Sequence, residues 1–242
     1  MVDGMANMNL ESKFPNKLTF LRYITHLSKD SVDKNELITM LCRNKKVLDI
    51  GCIDHSAETA IQLGEKWLHK GIKNVASELT GLDVLEEDIS ILNNLEYNII
   101  FGDAEDFHLQ KTYEVIVAGD IIEHLSNIGF FLRCVKEHMD NESLFIFTTP
   151  NPFNIEQSMS AIFNKYIYAH SQHTCWLSPQ VCWELLRREK LKIIDFYWIE
   201  TRFQFSVKKT VFKNQINHLS RYLLQKNALL RRDFAVVVQK AK

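Results

Sequence analysis

The sequence predicts an α/β fold, in which a mostly parallel sheet carries helices on both faces. Between residues 46 and 148, five short apolar runs alternate with segments of helical periodicity, as in parallel strands joined by crossover helices. Four of the runs end in or near an aspartate: Asp49, Asp83, Asp103 and Asp120. The chain has 242 residues, 46% of them hydrophobic, which suffices for one such domain.

The elements can be assigned in chain order. Residues 1–13 are polar and are expected to be frayed. Apolar residues recur at helical spacing from Leu18 to Leu41, which predicts one or two helices packed on the sheet. Alternation and β-branched composition then predict seven strands, at 46–50, 78–82, 97–101, 114–118, 143–148, 192–199 and 234–239.

Loops and further helices complete the assignment. Pro150 and Pro152 mark a loop after the fifth strand, and the aromatic-rich residues 153–177 are expected to form a mobile cover over the site. Ser178-Pro179 is typical of a helix start. Residues 201–232 are too long for a hairpin turn and should contain a helix, near 211–230.

Composition excludes several classes of protein. The net charge of −1 argues against a wholly basic nucleic-acid binder. The five cysteines are odd in number and lack Cys-x-x-Cys spacing, which favours reduced thiols in a cytoplasmic protein. The N-terminus has no long apolar run, and no stretch approaches the ~18 apolar residues of a membrane span. We therefore expect a cytoplasmic protein without a signal peptide.

The stretch 47–55 is the most informative part of the chain. It predicts a buried strand that runs into a glycine turn at Gly51 and then a helix, which brings backbone N–H groups up to a ligand. Strand ends carrying carboxylates suit a ligand with hydroxyls, an amine and a positive charge, and suit a diphosphate badly. Ile53 stands where the second glycine of the dinucleotide fingerprint G-x-G-x-x-G would lie, so that fingerprint is absent. In the family that the chain resembles, named below, glycines are usual at the positions of Ile53 and His55.

Five motifs, in this order and spacing, carry a family resemblance: Val47-Leu-Asp-Ile-Gly-Cys52, Gly81-Leu-Asp83, Gly102-Asp-Ala-Glu-Asp-Phe107, Glu123-His-Leu125 and Thr148-Thr-Pro-Asn151. Over about residues 40–200, the chain resembles class I S-adenosylmethionine (SAM)-dependent methyltransferases, most closely small bacterial enzymes of glycan and small-molecule pathways. The resemblance implies a Rossmann-like sheet of order 3-2-1-4-5-7-6 with an antiparallel last strand. It also implies SAM as cofactor and S-adenosylhomocysteine (SAH) as product.

The single domain would have four parts: an N-terminal helical segment (1–43), a SAM-binding core (44–150), an acceptor lid (151–177) and C-terminal strands (178–242) with a helical insertion at 201–232. SAM would lie across the carboxyl ends of strands one to four, where the strand order reverses.

The resemblance assigns cofactor contacts to ten residues. The amino-acid end of SAM would meet Asp49, the backbone of Gly51 and Cys52, and His55, although His55 could instead fill the gap left by glycine. The remaining contacts would come from Asp83 and Val84 at the ribose, Asp103 and Ala104 at the adenine, and Gly119 and Asp120 at the methionine.

Three alternatives stay open for these acids. Glu87 and Asp88 rival Asp83 as the ribose ligand, although both are predicted to lie inside the next helix. Asp103 could simply cap a helix starting at Ala104, and Asp120 could cap one over 121–125.

Three residues are candidates for acceptor contact or proton removal: Glu123, His124 and His173. The usual pKa of histidine suits a general base, although a histidine packed on a helix is the alternative for His124. No metal site is expected, because two adjacent residues rarely point at one site. Five further histidines are classed as surface or helix-packing residues: His26, His69, His108, His138 and His218.

The acceptor is expected to be a small, polar and anionic molecule, such as a sugar or sugar phosphate, and most plausibly methylated on oxygen. The basis is a basic run in 201–232 without Asp or Glu: Arg202, Lys208, Lys209, Lys213, Arg221, Lys226, Arg231 and Arg232. A solvated charged face is the alternative for this run.

The sequence leaves two other functions open. A nucleic-acid methyltransferase would place Pro-Pro-aromatic after the fourth strand, where this chain has Gly119-Asp-Ile-Ile-Glu-His124, so it is disfavoured. A non-catalytic binding module of the same fold is the other, prompted by Ile53 and His55 in the glycine turn. Aromatic residues around 196–212 could support a homodimer.

Overall fold

The computed structural model describes residues 14–27, 31–199, 222–224 and 226–241. Its centre is a seven-stranded mixed sheet of order β3-β2-β1-β4-β5-β7-β6. The strands are β1 Lys46–Ile50, β2 Glu78–Asp83, β3 Ile99–Phe101, β4 Tyr113–Gly119, β5 Met139–Pro150, β6 Leu191–Trp198 and β7 Asp233–Lys240. The predicted strand order is therefore confirmed.

Eight α-helices accompany the strands in the described part of the chain. They are α1 Lys17–His26, α2 Lys34–Cys42, α3 Ala57–Leu63, α4 Leu68–Lys73, α5 Glu86–Asn93, α6 Ile128–Glu137, α7 Ile155–Met159 and α8 Pro179–Arg188. The predicted start of α8 is confirmed, because Ser178 Oγ accepts a hydrogen bond from the Val181 N–H and Pro179 occupies the first turn. Within these residues, no helix combines the length and apolarity needed to cross a bilayer.

The strand directions place the functional edge of the sheet. β1 pairs in parallel with β2 on one side and with β4 on the other. The chain order thus reverses beside β1, and the crevice at a reversal point is where open α/β sheets bind ligands. β7 runs antiparallel between β5 and β6, as expected for the last strand.

The sheet buries an aromatic-rich core on one face. Phe20 of α1 packs edge-on against Phe196 of β6, which stacks on Phe234 of β7. Trp198 is fully buried beside them, and its indole N–H donates to the Ile24 carbonyl. Phe196 and Trp198 are therefore core residues, which corrects our expectation that they form part of an aromatic dimer surface.

Some local predictions need correction. β5 begins at Met139, four residues before the predicted start, because its first residue pairs with Tyr113 across an irregularity in β4. No helix starts at Ala104: Asp103 instead closes a turn by accepting from the Glu105 N–H. After Asp120, only a short 3-10 turn forms at Ile122–His124. The predicted helix 211–230 lies largely outside the described residues.

Candidate active site

A cavity of about 1200 Å³ opens at the carboxyl ends of the central strands. All thirteen residues that the sequence singled out as cofactor or acceptor contacts line it: Asp49, Gly51, Cys52, His55, Asp83, Val84, Asp103, Ala104, Gly119, Asp120, Glu123, His124 and His173. The structure thus brings together every candidate, although their individual roles stay predictions. A volume of this size exceeds what most small ligands need, so it has room for two molecules side by side.

The turn after β1 is shaped by Gly51. Its φ of +68° is a left-handed conformation that glycine adopts without strain. A Cβ at this position would collide with the Ile121 side chain, which belongs to the loop after β4. The absence of a side chain at Gly51 therefore lets the β1 and β4 loops approach each other closely.

The two positions where glycine was expected are accommodated differently. Ile53 is buried, and its N–H donates to Asp83 Oδ2 at 2.8 Å. His55 takes a φ of +59°, and its side chain is 69% exposed at the cavity wall. The imidazole therefore does not fill the space left by a glycine, and the other role considered for it, contact with a ligand carboxylate, stays a prediction.

Asp83 is held firmly by backbone donors at the end of β2. Oδ2 accepts from Ile53, and Oδ1 accepts from the Val84 N–H at 2.8 Å and the Leu85 N–H at 3.3 Å. Burial raises the pKa of this carboxyl, although these three backbone bonds oppose the rise. A carboxylate oxygen can accept more than one hydrogen bond, so the group retains capacity for ligand hydroxyls.

The rival acids occupy other positions. Glu87 and Asp88 lie inside α5, as expected, and Asp88 Oδ1 accepts from the Ala57 N–H at the start of α3. Asp88 therefore stabilises a helix terminus. Among these acids, only Asp83 lines the cavity.

The Asp49 carboxyl is buried and already has a partner within the protein. Its Oδ2 lies 2.8 Å from Nδ1 of His69 in α4, and both side chains are almost fully buried. Next to them, the Trp67 indole N–H donates to the Cys52 carbonyl at 2.8 Å. His69 and Trp67 thus hold the end of β1 and the Gly51 turn in place. The sequence did not predict this role, because both residues look like ordinary packing positions.

The adenine end of the predicted site combines a polar side chain with apolar ones. Asp103 is exposed to the cavity, whereas Ala104 is buried. Val84 leaves 55% of its surface exposed, which is unusual for an apolar residue beside a strand end. Together they offer a polar acceptor beside an apolar wall, as a purine ring requires.

Asp120 joins the sheet to the N-terminal helices. It adopts a φ of +53°, and its Oδ1 accepts from Thr148 Oγ1 at 2.6 Å. Its Oδ2 lies 2.6 Å from Lys34 Nζ of α2. Burial lowers the pKa of Lys34, but Asp120 and two further aspartates outweigh it, so the net shift is upward. Lys34 was not predicted as a site residue, because nothing in its local sequence indicates a partner 86 positions away.

Glu123 is a buried acid at the base of the cavity. Only 2% of its surface is exposed, and Oε2 accepts from Thr149 Oγ1 of β5 at 3.0 Å. Burial, reinforced by Asp120, raises its pKa to about 7. A carboxyl that changes protonation near neutral pH can accept or release a proton during a reaction.

Two imidazoles face this carboxyl. The rings of His124 and His173 meet edge to face with centroids 4.8 Å apart. Burial lowers the pKa of both. His170 of the same cavity wall lowers each further, together with His55 at His124 and with His124 at His173. Ligand atoms of Glu123, His124 and His173 all lie within 4.8 Å of one another. Our expectation that adjacent residues would point apart is therefore wrong here.

Segment 151–177 is anchored beside these groups. The Thr174 N–H donates to the Glu123 carbonyl at 2.9 Å, and Thr174 Oγ1 donates to the Leu125 carbonyl at 2.6 Å. This contact carries His173 to His124, although the two are 49 positions apart in sequence. The segment also exposes several aromatic side chains: Phe153, Phe163, Tyr166, Tyr168 and Trp176.

Comparisons with known proteins agree with this architecture. A family model described as "Methyltransferase domain" matches residues 20–194. The crystal structure of a SAM dependent methyltransferase from Archaeoglobus fulgidus superposes with a TM-score of 0.55 at 18% identity, covering 95% of this chain and 97% of that one. At this identity the likeness shows a shared fold.

Curated relatives match over shorter stretches. The (S)-tetrahydroprotoberberine N-methyltransferase of Eschscholzia californica is 28% identical over 98 residues, 40% of this chain and 27% of that protein. The ubiquinone biosynthesis O-methyltransferase of Rickettsia akari (strain Hartford) is 21% identical over 159 residues, 61% of this chain and 59% of that protein. The matches thus span less than two thirds of either relative.

Proposed function

The chain belongs to the methyltransferase domain family, in its class I SAM-dependent branch, and we propose that it transfers a methyl group from SAM to an oxygen of a small polar acceptor. The observation that carries this proposal is one cavity whose two halves differ in chemistry. One half offers Asp83, Asp103 and the Gly51 turn, and the other offers Glu123, His124 and His173.

The first half suits the cofactor. Asp83 would accept from the ribose hydroxyls, and charge-assisted hydrogen bonds of this kind are each worth roughly 1.5–3 kcal/mol. Asp103 would accept from the adenine amine while Val84 lies against the ring. The sulfonium charge would sit among the acids Asp49, Asp83 and Asp120, which favour a cation over the phosphates of a dinucleotide.

The second half suits an acceptor that must lose a proton. Methyl transfer is an in-line displacement at carbon: a bond from the acceptor oxygen forms as the carbon–sulfur bond breaks. The protein chiefly aligns the two reactants and receives the proton. Glu123, with a pKa raised to about 7 by burial, and His124, kept neutral by its lowered pKa, are the groups placed to do so.

An anionic group on the acceptor, as in a sugar phosphate of glycan or small-molecule biosynthesis, is a separate part of the proposal. It is supported by the basic run in 201–232, of which only Lys226, Arg231 and Arg232 lie in the described residues. The described cavity wall itself holds more acids than bases. The anionic group would therefore have to lie toward the basic segment and away from the sulfonium.

A mass-spectrometric screen tests the proposal. The protein is incubated with SAM and with hydroxylated acceptors in matched neutral and phosphorylated forms, and gain of a single methyl group is measured together with SAH release. We expect methylation of a hydroxyl compound, with the phosphorylated member of a pair favoured. SAH binding without any methyl gain across hydroxyl and amine compounds would support a binding module instead.

Replacing His173 separates the two halves of the cavity. His173→Ala should lower turnover at least about tenfold and leave the SAM dissociation constant nearly unchanged, because the residue lies on the acceptor side. His108→Ala, an exposed histidine outside the cavity, is the matched control. A loss of cofactor affinity in His173→Ala at unchanged turnover would place the residue in the SAM site.

A further inference from the structure

We propose that Glu123, His124 and His173 bind one divalent cation of the Zn²⁺ class, and that this cation takes the acceptor oxygen. The second clause rests on the proposed function, whereas the first does not. The combination of two imidazoles and one carboxylate is a ligand set used by catalytic zinc and by other open transition-metal sites. Such sites leave a coordination position for a substrate oxygen.

The distances permit this site with small side-chain movements. The three ligand atoms lie within 4.8 Å of one another. Around a tetrahedral ion with bonds of about 2.1 Å, ligand atoms lie roughly 3.4 Å apart, so the longest separation must shorten by about 1.4 Å. His124 and His173 are only partly buried and line the cavity, so the movement falls on side chains that are not fully enclosed.

Two of the three ligands, Glu123 and His124, are oriented by neighbouring groups, as metal ligands usually are. Thr149 fixes one oxygen of Glu123, and Thr174 holds the Glu123 carbonyl, so the carboxyl is aimed along one direction. One nitrogen of the His124 ring is hydrogen-bonded to the backbone of Gln172, which would leave the other ring nitrogen for a cation. These contacts set the approximate directions of the Glu123 and His124 side chains, and small side-chain movements complete the coordination.

The electrostatics of the cluster fit a cation. Two partly buried imidazoles and one buried carboxylate each offer a lone pair to a metal ion, and imidazole coordinates in its neutral form. A cation would also compensate the burial of the Glu123 carboxylate. Hard ions such as Mg²⁺ prefer oxygen ligands, so the two imidazoles favour Zn²⁺ or Co²⁺ over Mg²⁺.

Binding of this cation would restrict the chemical class of the methyl acceptor. With Glu123 and His124 engaged as ligands, these two groups would not take the proton: an acceptor hydroxyl bound to the metal would be acidified and would lose its proton to solvent. The resulting oxygen forms a bond to the methyl carbon of SAM while the carbon–sulfur bond breaks, which yields the methyl ether and SAH. Because zinc sites can expand from four to five ligands, a second oxygen next to the reacting one would occupy the fifth position, so the preferred acceptors carry two adjacent hydroxyls or a hydroxyl beside a carbonyl.

The experiment is a titration with Co²⁺ on protein free of a histidine tag, without SAM or acceptor. We expect one saturable site per chain, seen as ligand-field bands without a thiolate charge-transfer band, displaced by Zn²⁺ and unaffected by excess Mg²⁺. His173→Ala and Glu123→Gln should each weaken binding by more than about a hundredfold, because even changes behind the ligands cost about 10–100-fold. His108→Ala should bind like the wild type.

Two results would overturn the inference: no saturable Co²⁺ signal, or a signal that both ligand variants retain. Thermal melts and far-UV circular dichroism establish that the variants are folded, and His173→Ala serves as the decisive variant because the residue lies in a surface segment. SAM titrations on the same samples keep the two proposals apart. Cofactor binding without a cobalt site would reject the metal and leave the methyltransferase proposal standing.

Discussion

Gly51 shows how a single missing Cβ positions the candidate cofactor site. With φ at +68° and the Ile121 side chain directly above it, the residue keeps the loops after β1 and β4 close together. Ile53 and His55 replace the other expected glycines without opening this turn. The backbone N–H of Ile53 still reaches Asp83, and His55 tolerates a left-handed conformation, in which histidine is more common than most residues.

Gly51→Ala should therefore destabilise the fold by about 2–4 kcal/mol, since the left-handed backbone and the collision both cost free energy. Ile121→Ala removes the colliding atoms. In a double-mutant cycle followed by urea unfolding, Gly51→Ala should cost about 1 kcal/mol less in the Ile121→Ala background. Strictly additive effects would show that the collision is not what makes glycine necessary.

Glu123 makes a prediction about stability and pH. Its pKa is raised to about 7 in the folded state, so between pH 4.5 and 7 the folded protein holds a proton that the unfolded chain has lost. This contribution is complete below about pH 4.5 and disappears as the pH rises through 7. Asp233, whose pKa is raised to about 6 by burial and by Asp120, acts in the same direction.

Glu123→Gln should remove the Glu123 part of this dependence. Measured by urea unfolding with EDTA present, the variant should gain up to about 3 kcal/mol relative to the wild type between pH 5 and pH 8. Asp233→Asn, treated in the same way, should show a smaller gain over a lower pH range. A constant difference between Glu123→Gln and the wild type would mean that the carboxyl is not destabilised by its burial.

At the scale of elements, α4 is the support of the cofactor turn. His69 in α4 reaches Asp49 at the end of β1, and Trp67 just before the helix reaches the Cys52 carbonyl. A helix that packed only through apolar contacts would leave the buried Asp49 carboxyl without this partner. The pairing therefore explains why an acid can stand inside the strand end of β1.

His69→Ala should cost about 1–3 kcal/mol of stability, because a buried polar group loses its partner. His69→Asn keeps a donor near the position of Nδ1 and should recover part of this loss. Both variants are compared by urea unfolding and by SAM titration, with His108→Ala as the control. Equal stability of all three variants would show that the Asp49 contact contributes little.

The elements could be predicted from the sequence better than their contacts. Strand β1 agrees with its prediction at both ends, and α8 was located from Ser178-Pro179, because periodicity and capping are local signals. The extension of β5 back to Met139 depends on pairing with β4, which local composition does not encode. Lys34 and His69 were missed for the same reason: their partners are distant in the chain.

At the scale of the molecule, the topology converts a linear order of motifs into one cavity. Parallel strands β1, β2 and β4 end at the same edge, so acids spread over 71 positions from Asp49 to Asp120 line one wall. Residues of segment 151–177 also line the cavity, and Thr174 hydrogen-bonds this segment to the loop after β4. The two halves of the cavity follow from this arrangement. The strand ends supply the half assigned to the cofactor, and the loop after β4 together with segment 151–177 supplies the half assigned to the acceptor.

The most direct test of the central claim is a calorimetric titration of SAH into the wild type, Asp83→Ala and Glu87→Ala, with Asp83→Asn as a variant that keeps the side-chain size. We predict one site in the wild type, unchanged affinity in Glu87→Ala, and a dissociation constant at least about tenfold higher in both Asp83 variants, which corresponds to about 1.4 kcal/mol. Wild-type affinity in folded Asp83→Ala, or no SAH binding by the wild type, would contradict the account.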